Sequence, residues 1–248
     1  MARLLVIQHE PDAPAAWLGE WWSAAGVDLD VVRGDLGERI PDDIRHHDGL
    51  VVLGGAMGAC DDAENTWLEP TRALLRHAVV RELPTLGVCL GHQLLAVALG
   101  GHVDRNPTGR TVGLVPVRLT EAGRADPLLS DVDGLAAIHY NDDVVLDLPH
   151  GAVALADLPD GRAQAVRYGP AAWGVQFHPE TSPEVFESWL RWDFPEGLAP
   201  DQATLLEGVT GARGRLRADW QPFAERFAAL LTRPGQGPAA GSLRGAGR

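Results

Sequence analysis

Two short segments of this chain carry side chains able to do covalent chemistry. In the first, a cysteine sits between two glycines, Gly87-Val88-Cys89-Leu90-Gly91, after an apolar strand pattern (84–88) and before a helical one (91–99). This is the Gly-x-nucleophile-x-Gly arrangement with a thiol as nucleophile. A sharp strand-to-helix turn needs close backbone approach, and the two glycines remove the Cβ atoms that would block it. The turn lifts the sulfur above the sheet edge and sets it at a helix N-terminus, where free N–H groups and the macrodipole favour thiolate over thiol. Read alone, Cys89 is equally consistent with a small buried hydrophobe. The second segment, Trp173-Gly174-Val175-Gln176-Phe177-His178-Pro179-Glu180, shifts that balance. Val175 to Phe177 favour a strand, and Pro179 is tolerated where a strand ends. His178 and Glu180 lie two apart, so in extended chain both leave on one face. A carboxylate on one imidazole nitrogen fixes the tautomer and frees the other nitrogen for proton transfer. Cys89, His178 and Glu180 together make a nucleophile, a base and an orienting group.

The elements that must position these residues read as alternating strands and helices. Residues 4–7 form a continuous apolar run, typical of a parallel strand buried on both faces. A helix over 17–25 stopped by Gly26, an alternating strand over 27–33, a turn or short helix at 41–44 and a third strand over 47–53 follow. That strand empties into Gly54-Gly55-Ala56-Met57-Gly58, which lacks the Gly-Lys-Ser/Thr of a phosphate loop. Its bare backbone N–H groups suit an oxyanion hole better. The acidic run Cys60-Asp61-Asp62-Ala63-Glu64 reads as the solvated flank of a helix over 66–82 rather than a cation site. The nucleophile strand completes a β-α-β alternation that argues for a parallel sheet. His9 and Glu10 lie at a strand C-terminus, the edge where such sheets bind ligands, but belong to neither chemical segment and are assigned structural roles. Beyond Gly100-Gly101, short strands over 113–119, 135–139, 152–158 and 164–168, with a helical turn at 126–130, give an antiparallel section beside the parallel sheet.

The cysteine segment, the Gln176-Phe177-His178-Pro179-Glu180 segment and the upstream Val51-Val52-Leu53-Gly54-Gly55, in this order and spacing, resemble class I glutamine amidotransferases over about residues 1 to 190. The glycine loop, Gly-Gly-Ala-Met where many members carry Gly-Gly-Pro, is similar to that of a stand-alone, GMP-synthase-like branch. The resemblance implies a flavodoxin-like α/β domain that hydrolyses a γ-carboxamide through a γ-glutamyl thioester on Cys89, without metal or cofactor. It implies an oxyanion hole from the Gly55 and Leu90 N–H groups and substrate contacts from Gly54, Met57, Gln93, Tyr140 and Asp143, the last two in a loop at 139–143. His92 is expected to pack beneath the elbow. The substrate is glutamine or a γ-glutamyl amide with a larger amine, and an ammonia-accepting synthase subunit is a partner of the first case only. A roomy pocket around Met57 and Tyr140 would favour the second. A catalytically silent binding module is the third reading, disfavoured by the intact Cys89, His178 and Glu180.

Composition bounds the rest. The chain has 248 residues and net charge −13, and all 21 basic residues are arginine. The lack of lysine excludes Schiff-base chemistry and a phosphate-loop lysine, and the acidic balance argues against nucleic-acid or anionic-membrane binding. Two cysteines are too few for a disulfide scaffold. With no apolar run near about 18 residues and no leader pattern, the expectation is a cytoplasmic protein. After the domain of residues 1–190, an extension over 191–232 is expected to pack on it. Its helices (200–208 and 216–231) follow one at 182–190 that Ser182 and Pro183 open. These helices suit covering the sheet, a homodimer face or a synthase dock, with core packing the default. The Pro- and Gly-rich stretch 233–248 reads as disordered.

Overall fold

The structure, a computed structural model, describes residues 1–194 and 197–231; the expected tail lies outside the described residues. Its strands are β1 (Arg3–Gln8), β2 (Asp28–Arg33), β3 (Gly49–Val52), β4 (Thr85–Val88), β5 (His102–Arg105), β6 (Thr111–Pro116), β7 (Ala136–Asn141), β8 (Asp143–Asp147), β9 (Val153–Asp157), β10 (Ala163–Gly169) and β11 (Ala172–Val175). Its α-helices are α1 (Ala16–Ala24), α2 (Leu68–Val80), α3 (Leu90–Ala98), α4 (Glu121–Arg124), α5 (Pro183–Asp193), α6 (Pro200–Gly211) and α7 (Arg213–Leu231).

Seven strands form the central sheet in the order β2-β1-β3-β4-β11-β10-β9. The first five run parallel, and β10 and β9 extend the sheet antiparallel, so the antiparallel section expected beside the sheet partly continues it. The pairs β5–β8 and β6–β7 stand apart as two-stranded antiparallel ribbons. Leu4, Leu5, Val6 and Ile7 are all fully buried, as an apolar run covered on both faces must be. One core lies where β1, β3 and β4 meet α1, α5 and α7; the other, on the opposite face, joins the sheet to α2 and α3. Residues 41–46 take the turn alternative, since Pro41, Asp42 and Asp43 favour turns. The helical turn at 126–130 is closed by the Ser130 N–H donating to the Asp126 carbonyl at 3.1 Å, and the short helix α4 precedes it, where Thr120 caps the Gly123 N–H. Two differences from the sequence reading have physical causes. Residues 139–141 pair in β7 instead of forming a loop. β5, polar and largely exposed, and β8, with Val144-Val145-Leu146 adjacent, lack the apolar alternation that announces a half-buried strand.

The C-terminal helices belong to the core. Trp22 Nε1 donates to the Ala224 carbonyl at 3.1 Å, Trp220 Nε1 donates to the Ala136 carbonyl at 3.0 Å, and Phe223 and Phe227 are fully buried. Helix α5 opens as its sequence indicates, with the Ser182 hydroxyl accepting from the Val185 N–H and Pro183 in the first turn.

The β4–α3 junction is packed backbone to backbone. A Cβ at Gly91 would lie 2.0 Å from the Val52 carbonyl oxygen, a backbone atom that cannot yield. We therefore expect Gly91→Ala to lower unfolding free energy by about 3 kcal/mol or more. Urea denaturation followed by circular dichroism measures this, and an unchanged midpoint would contradict the close-approach account.

Candidate active site

Cys89 occupies the single residue between β4 and α3. Its φ of 49° and ψ of −105° lie outside the regions open to ordinary side chains. Two backbone hydrogen bonds hold it there: Cys89 N–H donates to the Val175 carbonyl at 2.8 Å, and Gly91 N–H donates to the Leu53 carbonyl at 3.1 Å. The elbow is thus clamped between the ends of β11 and β3. The Gln176 side-chain amide donates to the sulfur at 3.5 Å.

Strand β11 ends at Val175, and the following bend, not a regular strand, carries the second segment. Even so, His178 and Glu180 share a side. The His178 N–H bonds the Ile138 carbonyl, and His178 Nδ1 meets Glu180 Oε1 at 2.7 Å, with both side chains buried. Glu180 is held in turn by the Thr181 hydroxyl at 3.2 Å, while its carbonyl accepts from the Trp17 N–H. His178 Nε2 has no hydrogen-bond partner among the described residues, which leaves it for proton transfer. Burial by itself pushes the imidazole down, but the charges of Glu180 and then Cys89 outweigh it and raise its pKa to about 10. The ring stays an imidazolium through neutral pH.

These side chains open into a cleft of about 580 Å³ that Cys89 and His178 line together with Gly55, Met57, Gln93, Tyr140 and Asp143. Gly54 lies behind it: a Cβ there would meet His178 Cε1 at 3.1 Å and Cys89 Cβ at 3.7 Å. Gly55 is equally confined, with Met57 Sδ, Leu90 Cδ2 and His9 Cβ all within 3.0 Å of a Cβ built on it. A side chain at this position would have to displace those neighbours. Leu90 opens α3, where N–H groups have no intrahelical acceptor. Gln93 donates to Gln176 Oε1 at 3.2 Å and to the Asp143 carbonyl at 2.9 Å, so it fixes the amide that touches the sulfur. The Tyr140 hydroxyl donates to Asp193, and Arg110 bridges Asp142 and Asp193. His92 is buried under the elbow against the Tyr168 hydroxyl, and burial lowers its pKa to about 3.

Several residues around the site were given no role in it by the sequence reading. Gln176 sits inside a quoted motif, but no spacing rule marks its amide as a sulfur ligand. Glu10, assigned a structural role, lines the cleft, as do Asp12, Asn141, Trp189 and Trp192. The strand-end position of Glu10 was the available signal. Trp189 packs on the His178 ring at 4.6 Å between centroids. Among the described residues, no group of three or more His, Cys, Asp or Glu is placed to hold a metal ion, and no helix is long and apolar enough to cross a membrane.

The sequence profile described as Glutamine amidotransferase class-I matches residues 20–195. The chain belongs to this family. It is 31% identical over 193 residues to the putative glutamine amidotransferase-like protein YfeJ of Salmonella typhimurium, covering 76% of this chain and 80% of that one. It is also 31% identical over 208 residues to gamma-glutamyl peptidase 5 of Arabidopsis thaliana, covering 82% of each. The solved glutamine amido transferase of Methylobacillus flagellatus superposes with a TM-score of 0.83 at 26% identity, over 95% of this chain and 98% of that one. The mainly parallel, helix-flanked sheet is therefore the fold of class I glutamine amidotransferases.

The charge of His178 gives a pH test. Its folded pKa of about 10 stands above the ordinary 6.5. The stability it contributes is therefore complete below pH 6.5 and is lost as pH rises through about 10. Imidazole NMR titration should give that high midpoint, and Glu180→Gln should lower it by at least about 2 units. A midpoint unmoved by Glu180→Gln would contradict the ion pair.

Proposed function

We propose that this chain is a hydrolase of γ-glutamyl amides that works through a thioester on Cys89. The observation that carries this reading is the elbow-mounted cysteine sharing one cleft with a buried His178–Glu180 pair. The Cys89 thiolate attacks the γ-carbonyl carbon. The N–H groups of Gly55 and Leu90 hold the developing oxyanion, which backbone donors at an elbow stabilise without reorganising. His178, charged and oriented by Glu180, gives its proton to the departing nitrogen as the C–N bond breaks. It then takes a proton from water, which attacks the thioester and releases glutamate. Gln93 holds Gln176 against the sulfur, and Met57, Tyr140 and Asp143 line the space for the rest of the substrate.

Between glutamine and a larger conjugate, the cleft favours the conjugate. Its volume of about 580 Å³ around Met57 and Tyr140 falls in the range that encloses drug-sized ligands. The likeness to a gamma-glutamyl peptidase over most of both chains supports the same choice. A glutaminase subunit that hands ammonia to a separate synthase uses the same residues, and its partner would dock over the cleft mouth.

Glutamate release by the purified protein, from glutamine and from γ-glutamyl alkylamides, tests this. Alkylamides should be turned over faster than glutamine, and Cys89→Ala should lower kcat by at least about 1000-fold. Release that survives Cys89→Ala would sink the mechanism, and weak turnover of glutamine alone would favour the synthase subunit.

A further inference from the structure

The leaving amine of a γ-glutamyl amide departs on the side of the acid that protonates it, which in the reading above is His178. What surrounds His178 therefore selects the amine, and this inference rests on that reading. Trp189 packs on the imidazole, and Trp192, one turn further along α5, lines the same cleft while remaining 69% exposed. The loop after β1 is tied to this helix, because Trp189 Nε1 donates to the Asp12 carbonyl at 2.7 Å. Glu10 and Asp12 of that loop also line the cleft. The His178 side is thus built from indole faces and carboxylates.

The rest of the cleft has the same sign. Among the described residues, seven carboxylates line it against two guanidiniums. Both are engaged: Arg110 pairs with Asp142 and Asp193, and Arg105 lies 3.4 Å from both Asp142 and Asp143. Both guanidiniums already face carboxylates, and the chain has no lysine. Asn141, 6% exposed, also lines the cleft. Its Nδ2 donates to the Asp143 carbonyl, and its Oδ1, beside the buried His139 imidazole, has no well-aligned hydrogen bond among the described residues.

We propose that the leaving-group side of the cleft is a subsite for a cationic amine, so that the preferred substrates are γ-glutamyl conjugates of alkyl diamines. The second, protonated amine lies against the Trp189 and Trp192 rings, whose faces attract cations, within the field of Asp12 and Glu10. Attack by Cys89 Sγ forms the C–S bond and breaks the C–N bond, and the freed nitrogen takes the His178 proton. Water then displaces the sulfur, and the products are glutamate and the free diamine.

The test compares three mono-γ-glutamyl amides with the full-length protein: that of diaminobutane, that of pentylamine, its uncharged isostere, and that of aminobutyrate, which carries a carboxylate instead. The diaminobutane conjugate should have a kcat/KM at least about tenfold above the pentylamine conjugate, and the aminobutyrate conjugate should be poorest. The cation-to-neutral ratio should fall as salt is added. It should also fall in Asp12→Asn and in Trp192→Ala, each scored by that ratio so that a general loss of activity cancels. Equal turnover of the charged and uncharged conjugates, or a ratio unmoved by both substitutions, overturns the cationic subsite and leaves the hydrolase reading standing. Cleavage of none of the three overturns both.

Discussion

The backbone conformation forced on Cys89 is the constraint on which the rest of the structure depends. A non-glycine residue at φ 49°, ψ −105° costs on the order of 1–3 kcal/mol and persists only where its surroundings over-determine it. Here the ends of two neighbouring strands do so, through the Val175 and Leu53 carbonyls, while Gly91 packs its backbone directly on Val52. Those strand ends also launch the other parts of the site. β3 runs into the Gly54-Gly55 loop, and β11 runs into the segment that bears Gln176, His178 and Glu180. The bonds that hold the strained residue therefore also set the distance from the sulfur to its partners.

Distant parts of the chain complete the arrangement. Phe177, between Gln176 and His178, stacks on Trp220 of α7 with ring centroids 5.2 Å apart. The Glu180 carbonyl is bound by the first helix through the Trp17 N–H, and Trp22 of that helix is bonded to α7. The geometry of the candidate site and the C-terminal packing are thus one mechanical unit. Helix α5 contributes twice, with Trp189 against the imidazole and Asp193 in the Tyr140–Arg110 network across the cleft.

The parallel half of the sheet was legible because β1 and β3 carry continuous apolar runs and β2 alternates, and the elbow because Gly87 and Gly91 admit few alternatives. The antiparallel half was less so. His102-Val103-Asp104-Arg105 has one apolar residue in four, and its pairing with β8 comes from tertiary context that no local pattern encodes. His178 and Glu180 were read as neighbours on a strand; they meet instead on a bend, where the Ile138 bridge supplies the extended geometry. The candidate triad is written in local motifs, whereas the cleft walls are not. Glu10, Asp12, Asn141, Trp189 and Trp192 come from three separate elements, and only folding shows that they share a space.

The central claim is that acyl transfer passes through the Cys89 sulfur. The most direct measurement is intact-protein and peptide mass spectrometry after acid quenching of the protein during turnover of a γ-glutamyl amide. The account predicts a mass gain of one γ-glutamyl group on the peptide containing Cys89, released by hydroxylamine as expected of a thioester, and absent in Cys89→Ser. Steady product formation with that peptide unmodified, or the adduct on another residue such as Cys60, would contradict it.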